Sequence, residues 1–326
     1  MKMNTGDEGK LRIGVIGVGH MGTYHVNVIR QISSVELAGV YDANTAHAAA
    51  TAARYETNSY PSVDELFSNA DAVIVAVPTE YHHQVSLAAL SRGLHVLVEK
   101  PMTRTVEEAR ELVAEAAKRS LILQVGHVER FNGAVQELRR IITKPRLIEA
   151  HRLGPNTGRI RDVGVVLDLM IHDIDIVLNL VDRSPKRVSA SGVKVLGAHE
   201  DVASVVIDFD GCIASITASR ITQEKLRTLS ISEDNAYFLL NYTTQEMEIH
   251  RQASSESKVS VREGIHYRQE STIERVFIHR DNQLKLEIEH FIACIRGECK
   301  PLVNVENDVR TLEITRDILA QMGTGA

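Results

Sequence analysis

With 326 residues, 44% of them hydrophobic, and a net charge of −6, the chain has the size and make-up of a globular protein of two domains. It has no basic block, which argues against duplex nucleic acid as a partner, and no apolar run approaches the roughly 20 residues that span a bilayer. Met1–Lys10 is polar and carries no secretory segment, so the expected compartment is the cytoplasm.

Five apolar runs come first: Leu11–Ile16, Val35–Tyr41, Ala72–Val77, Leu94–Val98 and Leu121–Val125. Each is apolar throughout rather than alternating, the pattern of strands covered on both faces in a parallel sheet. Helical stretches lie between them. The clearest is Thr105–Arg119, where Val106, Ala109, Leu112, Val113 and Ala116 form one stripe behind a Thr105/Glu108 capping box. The alternation predicts a doubly wound α/β domain over residues 1–126.

The texture changes near residue 145. Leu147–Leu153 reads as a strand and Val163–Leu180 as a long helix. Val202–Asp210 and Cys212–Arg220 flank an Asp210-Gly211 turn, a strong hairpin signal. Leu226–Ser232, Tyr237–Asn241 and Met247–Arg251 continue the strands, Gln252–Arg262 reads as a loop, and Ile273–His279 as a last strand. Gln283–Gly297 and Asn304–Met322 are the closing helices. Residues 127–326 are therefore predicted to be an α+β domain with an open-faced, mostly antiparallel sheet. A helix covers one face, the other is free for a subunit partner, and the closing helices are free to pack back on the first domain. The three cysteines, Cys212, Cys294 and Cys299, form no CxxC pair and read as free thiols.

Gly17-Val18-Gly19-His20-Met21-Gly22 follows a strand and opens a helix, which is the context a dinucleotide fingerprint requires. The first glycine permits the turn, the second lets the backbone approach a pyrophosphate, and the third lets the helix pack on the strand. His20 and Met21 lie between them at the cofactor. Asp42, 20 residues after Gly22, is placed to accept hydrogen bonds from the adenosine ribose and to repel a 2′-phosphate, which favours NAD over NADP.

Ala76-Val77-Pro78-Thr79-Glu80-Tyr81-His82, Val96-Leu97-Val98-Glu99-Lys100-Pro101 and Asp168-Leu169-Met170-Ile171-His172-Asp173-Ile174-Asp175 come downstream of the fingerprint. In this order they resemble the Gfo/Idh/MocA family of sugar and cyclitol dehydrogenases. The resemblance implies a Rossmann domain followed by an open-faced sheet. It makes Lys100 the lysine that reaches substrate and nicotinamide ribose, His172 the acid/base histidine and Asp168 its acidic neighbour. It places Pro78, Thr79 and His82 at the nicotinamide pocket, with Glu99 beside Lys100. It also makes His127 and Arg130, in Gly126-His127-Val128-Glu129-Arg130-Phe131-Asn132, substrate contacts, with a solvated interdomain turn as the alternative. Met170 departs from the small residue, often glycine, that the family commonly carries there, which alters the sugar pocket or the packing beneath it.

The chemistry suits these residues. Asp168, His172 and Asp175 are spaced i, i+4, i+7, one face of a regular helix, beside an apolar stripe of Leu167, Ile171, Ile174 and Leu178. An imidazole that titrates near pH 6.5 can take the hydroxyl proton as hydride leaves the carbon, and an ammonium group stabilises the developing alkoxide. An ion-pair array is the ordinary alternative. A metal site of Asp168, His172 and Asp175 lacks a further ligand, and no metal is expected.

His151–Arg161 brings Arg152, Arg159 and Arg161 into a Gly/Pro/Asn loop, and guanidinium groups bind phosphate oxygens bidentately. This suits the diphosphate of a nucleotide sugar; pairing with surface carboxylates is the alternative. Within the family, the chain is similar to the UDP-N-acetylglucosamine 3-dehydrogenase branch. That likeness implies NAD-dependent oxidation at C3, a downstream aminotransferase making a diamino sugar for surface polysaccharide or lipid A, and a homo-dimer or tetramer. A dehydrogenase of a free sugar or inositol, and an NAD-binding regulator without turnover, are the competing readings.

Overall fold

The computed structural model describes residues 10–156, 158, 163–181, 183–252, 257–261, 264–268 and 271–323, in two compact units. The first comprises Met1–Val128 and Asn282–Leu312, the second Glu129–Asp281 and Glu313–Ala326. A returning segment, Asn282–Leu312, joins the first unit.

In the first unit, β1 (Leu11–Ile16), β2 (Val35–Tyr41), β3 (Ala72–Val75), β4 (His95–Glu99) and β5 (Leu123–Gly126) form a parallel sheet in the order β2-β1-β3-β4-β5. The helices are α1 (His20–Ile29), α2 (Thr45–Tyr55), α3 (Val63–Ser68), α4 (His82–Ser91) and α5 (Val106–Arg119). The uninterrupted apolar runs have the cause the sequence indicates. Along β3, Val73 and Val75 feed one buried cluster while Ala72 and Ile74 feed another, so both pleats are packed. Thr105 caps α5 through Glu108, whose carboxylate returns to the Thr105 amide, as the motif predicts. β3 stops at Val75, short of Val77, because the chain turns there toward Pro78, which has no N–H to offer a ladder.

The second unit opens with α6 (Gly133–Ile141) and β6 (Leu147–Leu153). A π-helical turn, Val166–Met170, then leads into α7 (Ile171–Val181). The following strands are β7 (Arg187–Val193), β8 (Val202–Asp208), β9 (Ile213–Ser219), β10 (Leu226–Ser232), β11 (Ala236–Asn241), β12 (Glu246–Gln252), β13 (Ser257–Val261), β14 (Gly264–Arg268) and β15 (Ser271–Val276). Seven of them join β6 in an eight-stranded sheet in the order β15-β12-β11-β10-β6-β9-β8-β7, antiparallel except for the β6–β9 pair. β13 and β14 pair as a separate hairpin, so Gln252–Arg262 is not wholly the loop expected. α8 (Gln283–Ile295) returns to the first unit, and α9 (Val305–Gln321) closes the chain.

Here burial alternates. Ala203, Val205 and Ile207 of β8 are fully buried, whereas Val206 is 43% exposed. One face of the sheet is packed and the other is open, which is the signature of a one-sided antiparallel sheet. The β8–β9 hairpin turns at Asp210 and Gly211, both at positive φ (59° and 99°), as a two-residue hairpin loop requires. Met170 is fully buried in this unit's core, so its departure from the family pattern falls on packing. Among the described residues, no helix is long and apolar enough to cross a membrane.

Candidate active site

The fingerprint loop joins β1 to α1, and its three glycines answer to different constraints. Gly17 has φ +85°, and a Cβ there would lie 2.7 Å from the Ala76 carbonyl oxygen. A Cβ on Gly22 would lie 1.8 Å from the Gly17 carbonyl oxygen. A Cβ on Gly19 would meet nothing within 4 Å, so the space above it is open to a ligand. Gly19 is also the N-cap of α1 and offers no side-chain cap, leaving the helix's first N–H groups for an anion.

Asp42 accepts hydrogen bonds from the backbone N–H of Val18 and of Asn44, each at 2.8 Å, so its carboxylate is fixed against the fingerprint. With Gly17, Gly19, Met21, Pro78 and Tyr81, it lines a cavity of about 850 Å³. A nicotinamide dinucleotide fits these features: a bare glycine, a free helix end and a carboxylate at the end of the second strand. His20 is placed differently. It stacks edge-on against Tyr24, 4.6 Å between ring centres, and lines a separate cavity of about 650 Å³.

Glu99 ends β4 and Lys100 follows it, half-buried, with a cis peptide to Pro101. Glu99 is buried and accepts a 2.8 Å hydrogen bond from Nε2 of His25. Burial works to raise the Glu99 pKa, yet the His25 bond and the charges of His25, Lys100 and His82 hold it below the usual carboxylate range. Thr79 begins a short 3₁₀ turn, Thr79–Tyr81, ahead of α4. His82 does not present its ring as expected: it is 1% exposed, and its two nitrogens face the carbonyls of Pro101 (2.8 Å) and Val77 (2.9 Å). Its part is to brace the Val77 turn against the Glu-Lys-Pro segment. Burial lowers its pKa.

His127, expected to touch substrate, is 3% exposed and faces Asp308 of α9 at 3.8 Å. It is a buried group of the first unit.

In the second unit, the buried face of β6 runs Ile148, Ala150, Arg152. Arg152 thus occupies a core position, 2% exposed, and the structure assigns it no phosphate. Its Nε and Nη2 donate to Asp173 at 2.7 and 3.0 Å, and its Nη1 donates to Glu129 at 2.9 Å. Burial disfavours the guanidinium, but the charges of Asp173 and Glu129 outweigh it and raise the pKa further. The Arg152 guanidinium also lies 4.9 Å from the ring centre of Tyr242, whose phenol burial keeps protonated.

Arg130 is likewise taken. It is 5% exposed and grips Asp175 with Nε, at 2.7 Å, and Nη2. Asp173 and Asp175 are therefore the two anchors of α7, held from β6 and from the Val128–Phe131 turn. His172 immediately precedes Asp173 and is half-buried on the first turn of α7. Asp168 sits in the π-helical turn, with Arg220 of the segment after β9 at 4.0 Å. The regular i, i+4, i+7 face is thus not formed: Asp175 turns inward while Asp168 and His172 remain partly accessible. Arg159 and Arg161 lie outside the described residues.

Sequence reasoning missed His25, Glu129, Asp173 and Arg220. Glu129 and Asp173 stood inside motifs already singled out, and the polar residues flanking Arg130 and His172 were the available signal. His25 and Arg220 gave none. Elsewhere, His290, Cys294 and Cys299 bring donor atoms within 4.8 Å of one another. His290 Nε2 accepts the Leu302 N–H at 2.9 Å, and burial, with a contribution from Cys299, pushes the Cys294 thiol up to about 12.

Two comparisons decide the family. Residues 11–127 match the oxidoreductase family with an NAD-binding Rossmann fold, and residues 132–244 match the GFO/IDH/MocA C-terminal domain. The chain belongs to the GFO/IDH/MocA oxidoreductase family. UDP-N-acetylglucosamine 3-dehydrogenase of Acidithiobacillus ferrooxidans is 37% identical over 289 residues, 87% of this chain and 88% of that one. A solved structure of that enzyme aligns with a TM-score of 0.88 at 32% identity, covering 98% of this chain and 99% of the other. The scyllo-inositol 2-dehydrogenase (NAD(+)) of Bacillus subtilis is 25% identical across 94% of this chain and 92% of its own. Membership of the GFO/IDH/MocA family makes the chain an oxidoreductase with a nicotinamide dinucleotide cofactor.

Proposed function

We propose that the chain is an NAD-dependent dehydrogenase that oxidises the C3 hydroxyl of UDP-N-acetylglucosamine to a ketone. The observation that carries this reading is the 37% identity to an enzyme of that name over 87% of the chain. A bound nicotinamide dinucleotide supplies the hydride acceptor. His172 takes the hydroxyl proton, Lys100 stabilises the developing alkoxide with its ammonium group, and Asp168 orients the imidazole. Asp42 favours NAD over NADP, because a fixed carboxylate accepts from ribose hydroxyls and repels a 2′-phosphate. With Arg152 and Arg130 bound to carboxylates, Arg159 and Arg161 are the arginines of that loop assigned to the diphosphate. The keto product calls for an aminotransferase downstream, and the open sheet face, with Val206 and Ile213 exposed by 43% and 49%, is assigned to self-association.

The test is NADH formation with UDP-N-acetylglucosamine, free N-acetylglucosamine and myo-inositol in parallel, with an aminotransferase drawing off the ketone. Turnover with the nucleotide sugar alone supports the proposal. Turnover with a free sugar or inositol keeps the family and discards the substrate. In the active preparation, His172→Ala is expected to lower kcat by about 10²- to 10⁴-fold with NADH binding unchanged.

A further inference from the structure

His25 sits on the fingerprint helix, three residues past Gly22, and none of its surface is exposed. Burying an imidazole is tolerated where its nitrogens find partners, and only one of them does. Nε2 donates to Glu99 Oε1 at 2.8 Å, whereas Nδ1 is buried without a hydrogen-bond partner. The pair spans 74 residues and joins the helix that caps the pyrophosphate site to the strand that delivers Lys100.

The carboxylate is fixed from other sides as well. Its Oε2 accepts the backbone N–H of Lys100 at 3.3 Å. On the neighbouring strand, Gly126 pairs with Glu99, and a Cβ there would come within 3.3 Å of the carboxylate carbon. The charged and titratable groups around Glu99 are His25 from α1, His82 from α4 and Lys100 next in the chain.

We propose that His25 is a positioning residue: by donating to Glu99 it completes a relay, His25–Glu99–Lys100, that fixes the lysine's backbone and sets a permanent negative charge beside its ammonium group. The inference rests on the role given to Lys100 above. With none of its surface exposed, His25 acts through Glu99. With its donor gone, nothing offsets the burial of Glu99 from that side, so the carboxylate takes up a proton and the counter-charge of Lys100 is lost.

The experiment compares His25→Leu, which removes the donor, with His25→Gln, which restores one at a similar reach, and with Glu99→Gln. Infrared difference spectra between about pH 8 and pH 5 read the protonated-carboxyl band of Glu99, assigned by its loss in Glu99→Gln. This readout needs no substrate, so it stands even where the UDP-N-acetylglucosamine reading fails. We expect no Glu99 band in the wild type or His25→Gln, and a band that grows on acidification in His25→Leu. In whichever substrate assay the wild type supports, His25→Leu gains an acid limb in kcat at that same ionisation. Its KM for NAD at about pH 8 stays within roughly two-fold of the wild type. A carboxylate that remains ionised in His25→Leu, or a loss of turnover independent of pH, overturns the proposal. Should His25→Leu not fold, Glu99→Gln carries the test. Wild-type kcat in folded Glu99→Gln overturns the relay, and a loss of about ten-fold or more with NAD binding retained supports it.

Discussion

Arg152 and Asp173 form a bidentate ion pair, 2.7 and 3.0 Å, one residue away from the His172 imidazole in the chain. Both partners are fully or almost fully buried, and Glu129 closes the group from a third segment. Removing one member of such a set leaves a buried charge uncompensated, which costs about 3–5 kcal/mol. Arg152→Met is therefore expected to lower unfolding free energy by about that amount, measured by urea denaturation. Unchanged stability with a raised KM for the nucleotide sugar would return Arg152 to the substrate.

Asp42 bears on the choice of cofactor. Asp42→Asn keeps the side-chain volume and one acceptor but removes the charge proposed to face the adenosine ribose. The expected result is a rise of about ten-fold or more in the ratio of kcat/KM for NADP to that for NAD, the effect of losing one charge-assisted hydrogen bond. An unaltered ratio would mean that another group reads the 2′ position.

The thiols differ in reactivity. Cys212 and Cys294 are buried, at 1% and 4% exposure, and burial raises both thiol pKa values, Cys294 to about 12 with a contribution from Cys299. Cys299 is exposed. A disulfide reagent at about pH 8 should titrate one thiol rapidly in the native protein and three after unfolding. Rapid loss of two or three thiols in the native state would contradict the packing around Cys294 or Cys212.

Arg12 and Asp71 offer a pH test in the first unit. The Arg12 guanidinium hydrogen-bonds Asp71 at 2.7 and 3.2 Å and holds its carboxyl below the usual range, against a smaller opposing effect of burial. A depressed folded value means the stabilisation is complete above the unfolded value of about 3.9 and disappears as pH falls through the folded one. Arg12→Met should therefore be less stable than wild type at about pH 6, with the gap closing toward about pH 3. A gap that does not depend on pH would mean that Arg12 acts by packing alone.

The sequence exposed most of the first unit because a parallel sheet packed on both faces leaves uninterrupted apolar runs, as in Ala72–Val75. β7 escaped notice because Arg187–Val193 is an edge strand of small and polar residues, none of them fully buried. The β13–β14 hairpin was hidden in a polar stretch whose pairing is local. At the candidate site, the roles proposed for Lys100 and His172 rest on their motifs, whereas the helix wheel through Asp168, His172 and Asp175 assumes a regular period. The π-helical turn at Val166–Met170 breaks that period. Nor could the chain disclose that Asp173 and Asp175 face inward, since the arginines that neutralise them come from 21 and 45 residues away. Charged residues read as cleft or surface when their partners are distant in sequence.

The unequal constraints on the fingerprint glycines separate folding from ligand recognition. Gly17 and Gly22 are demanded by carbonyl oxygens of the chain itself, with or without a cofactor. A descendant of this protein that abandoned its dinucleotide would have to keep both in order to fold, and its sequence would still display most of the motif. Gly19 alone is under no such obligation. Position 19 is therefore the place where loss of cofactor binding could first be written into the sequence at no expense to the fold, and the letter found there tells more about a relative's chemistry than its two neighbours do.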